Sequence, residues 1–257
     1  MSTMRVRVKF AKHGPIRFIG HLDVQRYFQK MNRRAGLDMA YSEGYSPHQL
    51  LSFAYPLSVG ATSDGEYLDM SLKSLKDIRL VSKGAESSSV EEIVERMNAV
   101  CNEGIKILDA YILPEKAVAA MTAVAATRWR VSFRKEIPDL REWFEAIMKE
   151  PHIAVTKKTK AGFKEIDIKP FVYEALIDDE NVFDLLLKSG STDNVKPSLL
   201  MEALLRYMQI DDGAEEMPAG FLKLHRVETY LTETDEGGRA YLTPMIERDE
   251  NMRIYLR

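Results

Sequence analysis

The sequence predicts an α+β protein made of two tandem ferredoxin-like domains, each of the βαβββαβ type. Three observations carry the prediction. Short stretches that alternate polar and apolar residues, the period of a half-buried strand, are interleaved with stretches whose apolar residues recur at helical spacing. The first half reads in the order β-α-β-β-β-α-β, and the second half repeats that pattern. The length, 257 residues with 45% hydrophobic and 29% charged, suits one large domain or two small ones of ordinary globular composition.

Arg5–Phe10 (RVRVKF) opens the chain as a strand by strict alternation. A turn at Gly14-Pro15 leads to a helix from His21 to Ala35, with Val24, Tyr27, Phe28, Met31 and Ala35 on one stripe and Gly36 placed to end it. Leu37–Ser42 and Leu50–Leu57 read as strands joined through the turn residues EGYSPHQ, and Tyr67–Leu72 as a third after a Ser63-Asp64-Gly65 turn. Ser89 and Glu92 have capping-box spacing, and Val90, Ile93, Val94, Met97 and Cys101 form the inward stripe of the helix they begin. Gly104 stops that helix, and Ile105–Leu113 closes the first domain, residues 1–114.

The Ala-rich segment 115–126 reads as a linker. In the second domain, residues 127–231, Arg128–Phe133 (RWRVSF) echoes the first strand. A helix over Asp139–Lys149 has Leu140, Trp143, Phe144 and Ile147 on one face. Ile153–Thr159 and Phe163–Ile168 form a hairpin across Lys160-Ala161-Gly162, and Phe171–Ile177 and Val182–Lys188 continue as strands. Pro197 sits in the first turn of a helix ending near Met208, where proline is tolerated. Phe221–Leu231 then echoes Ile105–Leu113. Residues 232–257 read as a tail with a short hairpin across Asp235–Arg239.

No apolar run approaches the ~18 residues a membrane span needs. MSTMRVRVKF is basic without an apolar signal core, so the expected compartment is the cytoplasm. The single cysteine, Cys101, excludes an internal disulfide, a zinc knuckle or an iron–sulfur cluster, and its place on a helical stripe predicts a small buried hydrophobe. There is no P-loop, no GxGxxG and no GxSxG. Asp211-Asp212 and Glu215-Glu216 lack EF-hand spacing and read as a solvated turn.

Charge is unevenly distributed. Residues 1–60 hold nine Lys/Arg against three acids, a balance of +6, while the remaining 197 residues stand at −9. A basic subregion on an acidic chain can form a local anion-attracting surface. Arg26, Lys30, Arg33 and Arg34 fall at i, i+4, i+7 and i+8, opposite the apolar stripe of their helix. With Arg17 before the helix they could follow a phosphate backbone, although a solvated helix face explains the same pattern. Tyr41, Tyr45 and Tyr55 lie nearby and could stack on bases or pack half-buried in strands. The Lys157–Lys164 hairpin tip, with Phe163, is a further basic contact or a solubilising edge.

His21 begins the first helix, where free amides favour anions, and Asp23 complements the helix dipole. His48 follows Pro47 in a turn that proline stiffens. The pair could act as general acid and base in metal-independent RNA cleavage, or supply two metal ligands. Neither arrangement has a diagnostic spacing. The plainer readings are a capping residue and a loop histidine.

The elements Arg17-Phe18, Gly20-His21-Leu22-Asp23, Arg34-Ala35-Gly36-Leu37, Tyr41-Ser42-Glu43-Gly44-Tyr45-Ser46-Pro47-His48 and Gly65-Glu66-Tyr67-Leu68-Asp69, taken together, resemble the radical-SAM-linked protein family of bacteria. The match is dense over residues 17–72 and elsewhere rests on length and layout. The resemblance implies a chain fused to, or encoded beside, a radical S-adenosylmethionine enzyme, often near genes for RNA processing and ribosomal proteins. This sequence has no Cys-x3-Cys-x2-Cys motif, so the cluster and S-adenosylmethionine would belong to the partner and this chain would be a stand-alone accessory or substrate-presenting subunit. In architecture alone it is also similar to repeat-associated RNA-processing proteins of bacterial immunity, but it lacks their glycine-rich C-terminal loop.

The leading expectation is an RNA-binding accessory protein, with Arg17, His21, Arg26, Lys30, Arg33 and Arg34 on phosphates and Tyr41, Tyr45 and His48 on bases. The alternatives are an endoribonuclease using His21 and His48, and a protein–protein adaptor that binds no RNA.

Overall fold

A computed structural model describes residues 3–74, 89–159, 162–190, 194–209 and 220–256. The chain is α+β and divides into two compact units, Met1–Val124 together with Glu228–Arg257, and Ala125–Val227.

In the first unit, β1 (Met4–Lys12) leads into α1 (His21–Arg34), then β2 (Leu51–Phe53), β3 (Thr62–Leu72), α2 (Ser89–Ala99) and β4 (Ile105–Ile112). β1 lies between β4 and β3, antiparallel to both, and β2 pairs antiparallel with β3 at Leu51↔Met70 and Phe53↔Leu68. The alternation of β1 sends Val6, Val8 and Phe10 inward, as period two requires. They meet Leu68, Met70 and Leu72 of β3 and Ile105 and Ile107 of β4, under Val24, Phe28 and Met31 of α1 and Ile93 and Met97 of α2. α1 ends as expected. Gly36 takes φ +67, its N–H bonds Arg33 O, and Leu37 N–H bonds Asn32 O. That pair of bonds is a Schellman cap, which favours glycine.

Three strand and turn expectations change here. Leu37–Ser42 contributes only the bridges Met39↔Leu72 and Tyr41↔Gln49, and the expected strand over 50–57 shrinks to three residues, ended before Pro56. Ser63-Asp64-Gly65 is not a turn but part of β3. A Cβ on Gly65 would stand 2.4 Å from Glu228 Cα, so two backbones touch there and no other residue fits.

Segment 115–126 is not a free linker. Ala120 is buried and opens the single-turn α3 (Ala120–Ala123), and β5 (Val124–Phe133) starts immediately after. The reason lies on the outward face of β1. Arg7 donates to Val118 O (3.1 Å) and Arg5 donates to Glu115 O (3.2 Å), while Ala120 N–H donates to Asp69 Oδ2 (2.8 Å). Residues 232–257 are not a tail either. Tyr241, Leu242, Met245 and Ile246 are buried. β11 (Ala240–Pro244) pairs with the end of β10 (Leu222–Thr234) across the expected Asp235–Arg239 turn, and β12 (Ile254–Tyr255) pairs with β11.

In the second unit, β5 is followed by α4 (Leu140–Lys149), the hairpin β6 (Ala154–Thr159) and β7 (Gly162–Asp167), then β8 (Val172–Ile177), β9 (Phe183–Lys188) and α5 (Pro197–Tyr207). The strand order is β10-β5-β9-β8, and β6-β7 forms a sheet of its own. Phe144 stands 4.8 Å and Phe133 6.0 Å from the Phe183 ring, beside buried Leu140, Ile147, Leu185, Leu200 and Leu204. Trp143, expected on one face with Leu140, Phe144 and Ile147, is 40% exposed and meets Tyr207 edge-on. β10 begins in this unit, and from Glu228 onward it belongs to the first, beside β3. The expected boundaries at 114, 127 and 231 therefore move to Val124 and Val227, because a strand rather than a loop carries the chain back. The acidic residues 211–216, the Ser89 cap side chain and residues 160–161 of the hairpin tip lie outside the described residues.

Candidate nucleic-acid interface

α1 positions most of the candidate residues. At about 100° per residue, Val24, Phe28, Met31 and Ala35 face the core, and all four are buried. Asp23, Arg26, Tyr27, Lys30, Arg33 and Arg34 fall on the outer side. They line a groove of about 620 Å³ together with Ile19 and Asn102. The floor is tied down. Asn102 N–H donates to Tyr27 Oη (2.8 Å), and Arg34 donates to Val100 O (2.9 Å). Arg26 pairs with Asp23 at 3.1 Å, an exposed i,i+3 contact that holds the side chain only weakly. Among the described residues none pairs with the Lys30 or Arg33 side chain. The groove therefore presents two unengaged cations and one loosely held one.

Arg17 stands just before the helix. Its guanidinium lies 4.7 Å from the Phe18 ring centroid, and its carbonyl accepts from Gly60 N–H at 2.9 Å. Its Nε is shielded from water without a hydrogen bond, so the adjacent ring, not an acceptor at Nε, packs against the guanidinium.

His21 occupies the opposite flank of α1, with Gln25, Gln29 and Asn32. Its ring meets Phe53 edge-on at 5.1 Å. Burial holds the imidazole below its ordinary pKa; the Glu66 carboxylate offsets part of this, and the Lys12 ammonium adds to it. Lys12 is itself held below the usual lysine value, first by burial and against the pull of Glu66. Lys12 is 2% exposed and donates to Ile19 O at 3.2 Å. Alternation places Lys12 on the inward face, with Val6, Val8 and Phe10. The register shift between Phe10 and Lys12 leaves it on that face.

His48 sits in the exposed turn after β1-α1. Its Nδ1 and Ser42 Oγ are 2.9 Å apart, and its N–H donates to Ser42 Oγ at 3.1 Å. The turn is anchored by Gln49, which donates to Gln29 O and accepts from Asn32. No hydrogen bond or ring contact joins His21 to His48, so the structure does not assemble them into a catalytic pair. Tyr45 is fully exposed at the turn's tip, and Tyr41 lies beneath the Lys73 ammonium at 5.9 Å. Tyr55 is half-buried against the cluster of Ala54, Tyr67 and Met245. The turn thus borders the Gln29 flank of α1, away from the cationic side.

Sequence reasoning missed four participants. Tyr27 was assigned only to the core stripe, and Asn102 carried no signal. Lys12 and Glu66 fall just outside the strands expected over 5–10 and 67–72, although the parity Lys12 shares with Val6, Val8 and Phe10 signals its inward place. Among the described residues no group of three His, Cys, Asp or Glu could hold a metal ion, and no helix is long and apolar enough to cross a membrane.

A family model described as "Uncharacterized protein conserved in bacteria (DUF2344)" matches residues 5–197. The chain belongs to the DUF2344 family. The match covers β1 to the start of α5, and so the whole groove. No curated protein matches this DUF2344 chain. Among solved structures it is similar to a chain of the "Crystal Structure of a Cbf5-Nop10-Gar1 Complex", at 11% identity and TM-score 0.41 over 87% of this chain and 48% of that one. The DUF2344 chain thus spans about half the length of that structure's chain.

Proposed function

We propose that this protein is an RNA-binding accessory subunit that presents its RNA to a partner enzyme, with the α1 groove as the contact surface. The observation that carries the reading is the groove itself: Arg26, Lys30, Arg33 and Arg34 share one concave surface, and two of the four have no partner among the described residues. A phosphate backbone is the ligand that a row of spaced cations suits, because each contact releases bound counterions. The partner in this reading is a radical S-adenosylmethionine enzyme, which would bring the cluster and the cofactor. Its support is the resemblance carried by residues 17–72. The tandem ferredoxin-like description is supported by strand order, since β4-β1-β3-β2 in one unit and β10-β5-β9-β8 in the other follow the same 4-1-3-2 scheme.

The test is binding of labelled RNA across a salt series. Four phosphate contacts give a slope of log affinity against log salt of about −3, at about −0.7 to −0.9 per contact. Replacing Arg26, Lys30, Arg33 and Arg34 by alanine should remove most of that slope. All four side chains project outward from α1, so the fold should survive. A wild-type slope near zero, or one unchanged in the variant, would overturn the proposal.

A further inference from the structure

We infer that the groove takes single-stranded rather than duplex RNA, with Phe18 as the platform on which a base stacks. The inference rests on the RNA reading above and adds its substrate class. A duplex presents only phosphates and sugar edges to such a surface, so cations alone would suffice. This end of α1 offers more than cations. Phe18 is 60% exposed and Leu22 is 65% exposed. Phe18 immediately precedes Ile19, which lines the groove, and Leu22 immediately precedes Asp23, which also lines it. Two large exposed apolar side chains next in sequence to groove residues suit a ligand with apolar faces as well as charge. Unpaired nucleobases have both.

The Phe18 ring is also prepared for stacking. The Arg17 guanidinium lies 4.7 Å from its centroid, and with Arg17 Nε lacking a hydrogen bond, this cation–π contact is its main restraint there. The Gly60 N–H bond to Arg17 O fixes the backbone on the same residue. A base could then lie against Phe18 while its phosphates follow Arg26, Lys30 and Arg33 along the helix. The tyrosines expected to meet bases belong instead to the turn on the Gln29 flank, so Phe18 replaces them as the base contact.

The experiment measures fluorescence anisotropy of a labelled single strand of about 12 nucleotides and of the same strand annealed to its complement. Wild type, Phe18→Ala, Phe18→Tyr and the four-cation variant are compared across a salt series. Wild type should prefer the single strand at least tenfold. Phe18→Ala should weaken single-strand binding by about tenfold or more, since one stacked base is lost, and should leave the salt slope intact. Phe18→Tyr, which keeps an aromatic face, should bind nearly as well as wild type. Equal affinity for duplex, or an unchanged Phe18→Ala in a protein whose binding still depends on the four cations, overturns this inference alone. The exposed patch would then be a protein contact. Absence of binding to either RNA by wild type overturns the RNA reading itself.

Discussion

Removing the Asp69 carboxylate should destabilise the protein by about 4 kcal/mol. Asp69 lies on the β3 face opposite the α1 core and is 5% exposed; Arg7, facing it from β1, is 3% exposed. The two form a bidentate pair, Nε to Oδ1 at 2.8 Å and an Nη to Oδ2 at 3.1 Å. Asp69→Ala would leave a guanidinium buried beside only the Val118 and Met245 carbonyls. Breaking a buried pair from one side costs about 3–5 kcal/mol. The Ala120 N–H would also lose its acceptor, a further ~1 kcal/mol. Asp69→Asn keeps the shape and one acceptor oxygen but not the charge, so about 3 kcal/mol is expected. In the double variant Arg7→Met, Asp69→Leu the buried charge is gone, so it should be more stable than Asp69→Ala despite carrying two substitutions. Urea unfolding followed by circular dichroism reads all three through the shift of midpoint at constant slope. The reasoning fails if Asp69→Ala loses less than about 1 kcal/mol, or if the double variant is the least stable of the set.

Three other outcomes follow from single contacts. Gly65→Ala forces a Cβ to 2.4 Å from Glu228 Cα, so it should destabilise by about 3 kcal/mol and detach β10 from β3, visible as faster amide exchange at Tyr67 and Thr229. Arg248→Ala removes a bidentate contact to Asp109 (2.8 Å each) and a bond to Ala110 O that together cover the outer edge of β4. The loss should be about 1 kcal/mol, with concentration-dependent self-association in light scattering as the edge opens. The third concerns pH. Because the folded His21 pKa lies below its ordinary value of about 6.5, the unfolded chain takes up the proton first on acidification. His21 thus leaves stability intact above pH 6.5 and lowers it as pH falls from there through the folded pKa. Urea midpoints at pH 7.5 and 5.0 should differ less in His21→Asn than in wild type.

Much of this fold was legible because it rests on local periods. β1, α1, β4, β9 and α5 all form within two residues of where alternation, helical spacing or a capping glycine puts them. What was not legible depends on distant partners. Residues 115–126 look like a linker because alanines carry no period, and they become structure only because Arg7 and Asp69 need backbone acceptors and donors there. The C-terminal residues look like a tail because their strand pairs with β10, whose own course depends on the contact of Gly65 with Glu228. At the candidate site the helix-face cations were readable from spacing alone. The partition of histidines from cations was not, since it depends on which flank of α1 receives the segment from Gln49 to Phe53.

The regional charge of +6 shows why the period of a charged segment matters more than its sum. Strand and helix treat their cations differently. In β1, alternation drives Arg5, Arg7 and Lys9 onto a sheet face that other segments cover, so each must be neutralised or hydrogen-bonded. Arg7 takes Asp69, Lys9 takes Glu228, and Arg5 takes the Glu115 and Ala117 carbonyls. Lys12 falls on the opposite, inward face with Val6, Val8 and Phe10 and donates to Ile19 O. None of these four is available to a ligand. In α1 the same residue types recur at 3.6-residue spacing opposite the core stripe, where among the described residues Arg34 bonds only Val100 O and Arg26 only Asp23, and their charge stays in the groove. The anion-attracting capacity of the first 60 residues therefore resides in Arg17, Arg26, Lys30, Arg33 and Arg34. The salt dependence of binding should be set chiefly by the four on α1 and be indifferent to the nine cations that composition counts.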